Sequence, residues 1–295
     1  MHGKIVAGFA FAASLGFAQP VLAAPDWKAV AQALGKSGTE MPGGVYRISL
    51  PRSDLEVTLD GIAIKPGFAL GSWLAFQGAD GKDAMVMGDL VLTEDEINPM
   101  MKRLMASGIE VTGLHNHLLR AEPPTMYMHV EGHGDAVKLA EGLHAALALS
   151  KTPLGSPPNT KSEAGDLDTA AIDHIIGRAG KASGGVYQFT IPRAEKITEG
   201  GMAIPTSMGT GIAINFEPLG KGNAAITGDF VLRAEEVTPV MQQLREHGIE
   251  VTALHNHMLA DEPRLFFMHF WAHDDANALA RGLRAALDKI NLQHS

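Results

Sequence analysis

A chain of 295 residues that is 45% hydrophobic and only 19% charged can bury a substantial core, which excludes an intrinsically disordered protein. Its formal net charge of −9 argues against nucleic acid as a partner, because such binding leans on Lys and Arg to neutralise phosphates. The absence of cysteine excludes disulfides, thiolate metal sites and cysteine nucleophiles, while 13 histidines make imidazole the conspicuous chemical resource.

In chain order, residues 1–23 read as a signal peptide. Lys4 gives a positive start, residues 5–18 form an almost unbroken apolar run, and Val21-Leu22-Ala23 supplies small residues for cleavage. The run is shorter than the roughly 20 apolar residues that a membrane span needs. No cysteine follows it for lipid attachment. The expectation is a periplasmic or secreted mature chain with no stable membrane anchor.

A short amphipathic helix is predicted over 26–36, with Trp27, Val30, Ala31 and Leu34 on one side. Alternating segments at 46–50, 56–64, 72–77 and 84–92 predict strands separated by glycine-rich turns. Asn98-Pro99 predicts a helix with proline at its first position, and Gly108 stops it. Two strands over 110–119 and 125–131, turned at Pro123-Pro124, and a last helix over 136–149 complete the unit.

The same unit is then written again at an offset of 140–141 residues. Gly43-Gly44-Val45-Tyr46 returns as Gly184-Gly185-Val186-Tyr187, and Gly88-Asp89-Leu90-Val91-Leu92 as Gly228-Asp229-Phe230-Val231-Leu232. Leu114-His115-Asn116-His117 returns as Leu254-His255-Asn256-His257. Residues 151–165 have the Pro, Gly and Ser content of a linker, so the domains are expected at 25–150 and 166–295. The order α-ββββ-α-ββ-α, used twice, predicts an α+β fold. Each copy would be one sandwich-like unit, a mixed or antiparallel sheet with helices on one face.

Strand alternation directs the histidines away from the core. His115 and His117 share one face of the 110–119 strand, and His129 lies on the polar face of the next, opposite Met126, Met128 and Val130. With Glu122 they spell H-x-H-x4-E-x6-H, repeated as His255, His257, Glu262 and His269. Three imidazoles and a carboxylate suit a divalent transition metal, zinc first and copper as the alternative. The expectation is metal or catalytic use of this set in at least one copy, with a hydrogen-bonded polar face at the interface between the copies as the competing reading. Asp89 and Asp229, each after a glycine, are candidates to orient a histidine ring from behind or to act as a fourth ligand. Arg52 and Arg193 either bind a carboxylate or are ordinary charged strand ends. No P-loop, dinucleotide-binding glycine pattern or nucleophile elbow is present.

The repeated block Gly-Asp-(Leu/Phe)-Val-Leu, Gly-Ile-Glu-Val-Thr-x-Leu-His-Asn-His-x-Leu-x-x-Glu-Pro and Met-His resembles the LppY/LpqO family of exported bacterial proteins, over nearly all of the mature chain. The resemblance implies export and a shared fold but no substrate, since the family is a domain of unknown function. This chain departs from the lipoproteins that named the family in lacking a cysteine for lipid attachment.

Three functions compete. The first is a metal-binding protein using the two histidine–glutamate sets. The second is a metal-dependent hydrolase in which Glu122 or Glu262 leaves the metal and acts as general base. The third is a non-metal module holding a sugar or other small ligand on the histidine face. Partners are therefore a metal ion or a small molecule; the sequence assigns no oligomeric state.

Overall fold

The computed structural model describes residues 25–79, 81–155 and 164–293. The expected signal at 1–23 and the middle of the linker lie outside them. Among the described residues no helix is long and apolar enough to cross a membrane.

The first copy runs α1 (Trp27–Leu34), β1 (Thr39–Met41), β2 (Val45–Pro51), β3 (Thr58–Leu59), β4 (Ile62–Ala63), α2 (Pro66–Ala69), β5 (Gly71–Gly78), β6 (Asp83–Leu92), α3 (Glu94–Ala106), β7 (Glu110–His115), β8 (Met126–Asp135) and α4 (Ala136–Leu147). The second repeats it as α5 (Thr169–Ile176), β9 (Lys181–Ser183), β10 (Val186–Ile191), β11 (Thr198–Glu199), β12 (Met202–Ala203), a 3-10 turn at Thr206–Met208, β13 (Ile212–Gly220), β14 (Asn223–Leu232), α6 (Ala234–Glu246), β15 (Glu250–His255), β16 (Asp261–Glu262), β17 (Phe266–Asp275) and α7 (Ala276–Leu287). Each copy builds a six-stranded antiparallel sheet, in the orders β1-β2-β5-β6-β8-β7 and β15-β17-β14-β13-β10-β9. The fold is α+β, with two similar units.

Local chemistry explains most of the element ends. Asp26 caps α1 by accepting from the backbone N–H groups of Lys28 and Ala29, and Gly35 closes it in a left-handed conformation at φ 80°. Three expectations need correction. Helix α3 starts at Glu94, five residues before the proline expected to open it, because the Thr93 N–H donates to the Glu96 carboxylate at 2.9 Å. Pro99 then sits inside the helix, as Pro239 does in α6. The strand expected over 56–64 is two short pieces, β3 and β4, paired with each other outside the main sheet. The strand expected over 110–119 ends at His115, so His117 lies beyond it.

Helices cover one face of each sheet. In the first copy Ile48, Leu74, Phe76, Val86, Leu90, Met128 and Val130 pack there against Leu34, Met100, Leu104 and Leu143. The other faces oppose each other across the copies. Ala75, Met85 and Met87 join the second copy's core, while Trp271 packs with Phe68, Val91 and Leu118 of the first. The Trp271 Nε1–H donates to Asp60 at 3.0 Å, and Arg120 bridges Asp60 and Glu250. The face read as polar is thus an internal seam.

Arg52 and Arg193 are structural. Arg52 is 0% exposed; it donates to Glu96 at 2.7 Å, to both oxygens of Asp54 at 2.9 Å, and to the Val91 carbonyl at 2.7 Å. Arg193 does the same with Glu236, Glu195 and the Val231 carbonyl. Glu96 also caps α3 and accepts from the Lys151 N–H, so one carboxylate ties strand, helix and the chain leaving the first copy.

Burial raises the Glu96 pKa, but the Arg52 bonds and the Lys151 and Thr93 N–H groups outweigh it and hold the carboxyl below its usual 4.5. A carboxyl lowered on folding stabilises the fold above its unfolded pKa, and that contribution is lost as pH falls through the folded value. Glu96→Ala leaves the Arg52 charge buried and less compensated. It should cost about 3–5 kcal/mol in urea unfolding at neutral pH, with the gap from the parent narrowing once pH drops below the usual carboxylate range.

Candidate metal centre

Antiparallel pairing fixes which groups meet. Asp89 on β6 lies directly opposite His129 on β8, and Gly113 on β7 lies on the other side of His129. Asp229, His269 and Ala253 repeat the arrangement on β14, β17 and β15. An added Cβ at Gly113 would stand 3.0 Å from the Asn256 carbonyl oxygen and 3.2 Å from the His129 ring, so a small residue keeps the copies close here.

The two His-Asn-His segments cross between the copies. Thr112 Oγ1 donates to the His257 carbonyl and Thr252 Oγ1 to the His117 carbonyl, both at 2.6 Å. The rings follow this pseudo-two-fold arrangement. His115 and His255 stack at 3.4 Å between centroids. His117 lies between Tyr127 at 3.4 Å and His269 at 3.6 Å, and His257 between Phe267 at 3.4 Å and His129 at 3.8 Å. The expectation of a histidine site inside a single copy is replaced by six imidazoles in one centre shared by both.

Ligating atoms gather in two overlapping sets. Those of His115, His255, His257 and His269 lie within 4.8 Å of one another, and so do those of His115, His117 and His129. Among the described residues neither set includes a glutamate. Glu122 and Glu262 are exposed on the turns after the His-Asn-His segments, at the cis bonds to Pro123 and Pro263. Their backbones pair with Thr58 and Thr198. The structure therefore brings together the six predicted histidines and leaves both predicted glutamates outside. The nearby carboxylates are Asp89, 3.8 Å from His117 Nε2, and Asp229, 3.3 Å from His257 Nε2 and 3.9 Å from His269 Nε2.

Backbone carbonyls hold the protons of three of these rings. His269 donates from Nδ1 to the Gly228 carbonyl at 2.7 Å, and His115 donates from Nδ1 to the Asn116 carbonyl at 3.2 Å. His129 bonds the Gly88 backbone; its Nε2 faces His115, so that bond falls to Nδ1. A ring that donates from Nδ1 and is neutral carries a lone pair on Nε2. His115 Nε2 and His129 Nε2 face each other at 2.8 Å, a hydrogen bond in the tautomer where one ring carries its proton on Nε2 and two lone pairs in contact where neither does. The Nε2 atoms of His117, His255, His257 and His269 are buried without a hydrogen-bond partner.

Protonation is a poor remedy. Burial, despite the Asn116 bond, pushes His115 down to about 4, and burial with the neighbouring His115 takes His269 to about 3. His117, His129 and His257 are driven well below 6.5 by burial, reinforced by the other imidazoles. Burial also raises Asp89 to about 7, against the pull of Arg47, and lifts Asp229 further, with Asp89 adding to the effect. Lowered histidines and raised aspartates have one cause, a desolvated centre with no strong ionic partner.

A cavity of about 770 Å³ abuts the centre, with Asp89, His117, Asp229, His257 and His269 on its wall. Arg47 and Trp73 line it too, and no sequence motif singled them out. Their one sequence signal is asymmetry, because the second copy has Gln188 and Ala213 at the matching positions.

A family profile described as Domain of Unknown Function (DUF1259) matches residues 28–149 and again 170–289. The chain belongs to this family. It carries the DUF1259 domain twice, and the shared histidine centre lies where the two domains meet. No curated protein matches the chain. Among solved structures it is similar to a trimeric bacterial microcompartment shell protein, PduB, at 12% identity, with 86% of this chain and 90% of that one covered and a TM-score of 0.21. A score that low carries no argument about fold or function.

The glycine before each aspartate is also part of the site. A Cβ at Gly228 would stand 2.0 Å from the Ala213 carbonyl oxygen, and one at Gly88 would stand 2.6 Å from Leu74 and 2.9 Å from the Trp73 carbonyl oxygen. Gly228→Ala must push β13 away from β14 and disturb the carbonyl that holds His269. It should cost about 3 kcal/mol or more in chemical denaturation. Gly67→Ala, where a Cβ would meet nothing within 4 Å, should be close to neutral.

Proposed function

We propose that this tandem DUF1259 protein binds a divalent transition metal, most simply zinc with copper as the alternative, in the histidine centre between its two domains. The observation that carries this reading is the group of buried imidazole nitrogens that lack a hydrogen-bond partner, four of them Nε2 atoms of His117, His255, His257 and His269. Each buried polar atom without a partner costs about 1–3 kcal/mol, and a cation shared among imidazole lone pairs removes that cost. The four-histidine set suits a closed tetrahedral site; the three-histidine set has the donor count of a site with an open position. Asp89 and Asp229 would ionise beside the bound charge and orient His117 and His257. The chemistry of the donors favours zinc or copper over magnesium or calcium, which prefer all-oxygen ligands.

The cavity against the centre favours a second reading, a metal-dependent hydrolase. In that case Asp89, on the cavity wall beside His117, is better placed to serve as a base than the exposed Glu122 or Glu262. Export to the periplasm or beyond remains part of the proposal. It is supported by the apolar run at residues 5–18 and the small residues ending at Ala23, and by the likeness of the repeated block to LppY/LpqO proteins.

Elemental analysis of protein purified without a histidine tag tests the metal. The expected result is one zinc or copper ion per chain, since both sets draw on the single free lone pair of His115, and a higher Tm when the ion is restored after chelation. His115→Ala removes the residue common to both sets and should reduce metal retention whichever set holds the ion; His255→Ala should do so only where the four-histidine set holds it. A full metal load in His115→Ala, or no stoichiometric metal in the parent, would overturn the reading and leave the non-metal binding module.

A further inference from the structure

The cavity beside the histidines is chemically lopsided. On the first copy's side Arg47 lies over the Trp73 ring, 4.1 Å from its centroid. The contact with the indole holds the guanidinium group at this wall of the cavity. One of its N–H donors, on Nη1, reaches the Ser207 carbonyl in the second copy. Among the described residues no carboxylate makes an ion pair with Arg47, whereas Arg52, Arg120 and Arg193 each hold two. Burial lowers the Arg47 pKa to about 10, with only distant help from Asp89. Arg47 is therefore a half-buried cation that no described carboxylate pairs with directly.

The second copy supplies the room. Trp73 pairs directly with Asp89, and the residue paired with Asp229 is Ala213. The small side chain leaves open what an indole would fill. Phe68 and Pro205 give the cavity apolar wall. Its volume of about 770 Å³ falls in the range of small-molecule sites, roughly 300–1,000 Å³. Arg47 on β2 is two strands from Asp89 and three from His129. At about 4.8 Å per strand, the arginine and the histidine centre are on the order of 10–15 Å apart.

The geometry points to a binding site for a small organic oxyanion, a molecule whose carboxylate or phosphate is held by Arg47 and whose other end lies against the histidine centre. The span requires a body between the two ends, and the Trp73, Phe68 and Pro205 walls require that body to have apolar surface. This site deepens the metal reading, because the far end would meet the proposed ion. Anion capture by Arg47 stands on its own geometry.

The test is calorimetric titration of zinc-loaded full-length protein with phenyl phosphate and with benzoate, using benzamide as the uncharged counterpart, and metal content measured on every sample. At least one oxyanion should bind and benzamide should not; the better of the two identifies the headgroup. Arg47→Gln, which installs the residue the second copy has, should weaken binding about tenfold or more while metal content is unchanged. Ala213→Leu should also abolish binding by filling the cavity, with Arg47 intact, and guards against a folding defect in the first variant. Undiminished binding in Arg47→Gln, or no oxyanion binding to the metal-loaded parent, overturns the proposal. Arg47-dependent binding to protein that holds no metal upholds the anion site and removes the metal reading alone.

Discussion

The reciprocal hydrogen bonds from Thr112 to the His257 carbonyl and from Thr252 to the His117 carbonyl are the constraint on which the centre depends. Each carries the His-Asn-His segment of one domain into the other. His117 then stacks on His269 and His257 on His129, and neither domain alone encloses its own three histidines. The small residues Gly113 and Ala253 keep the crossing close, since a Cβ at Gly113 would already stand 3.0 Å from the Asn256 carbonyl oxygen. Duplication accordingly does more here than add a second site: it supplies the other half of the first.

Closing the seam removes water from groups that ordinarily need it. Apolar packing around Met87, Phe68, Val91 and Trp271 provides the driving force. The domains could close over hydrocarbon alone at no electrostatic cost. Instead they enclose six imidazoles and two carboxylates, and His117, His255, His257, His269, Asp89 and Asp229 each keep at least one buried nitrogen or oxygen without a hydrogen-bond partner. That set works against a net stability that in ordinary domains is only about 5–15 kcal/mol. Peripheral charges do not behave this way. Arg52, Arg193 and Arg120 are each matched by carboxylates at hydrogen-bond distance. Among the described residues half of the buried side-chain atoms without a partner gather at this one centre, the others being spread over the fold, as at Gln77, Glu131 and Asn277.

Much of this was legible in the sequence. The repeat, the α+β class and the strand-face separation of His115 and His129 from Met128 and Val130 all follow from periodicity and self-comparison. Alternation cannot say what a sheet face opposes, so a site inside a single copy was expected where one composite site forms. Tyr127 and Trp271, large aromatics on the face read as polar, were the available hint that it is buried. Glu122 was placed with the histidines by spacing alone; the chain turns at Pro123 and carries its carboxylate to the surface. The start of α3 was missed because Asn98-Pro99 drew attention from Thr93 and Glu96, a capping box whose glutamate also neutralises Arg52.

The departures between the two copies carry as much meaning as their likeness. A strictly symmetric pair of domains would place an arginine on both sides of the centre, and an indole in each half of the cavity would close it. In this chain the six histidines and the two aspartates beside them are kept in both copies, while Arg47 corresponds to Gln188 and Trp73 to Ala213. The symmetric residues form the centre, and the asymmetric ones shape and charge the space beside it. A site that only stored an ion would need the first set. A cavity with one cation and one open side has a direction, so a small molecule entering it would be held by one end and present the other to the histidines.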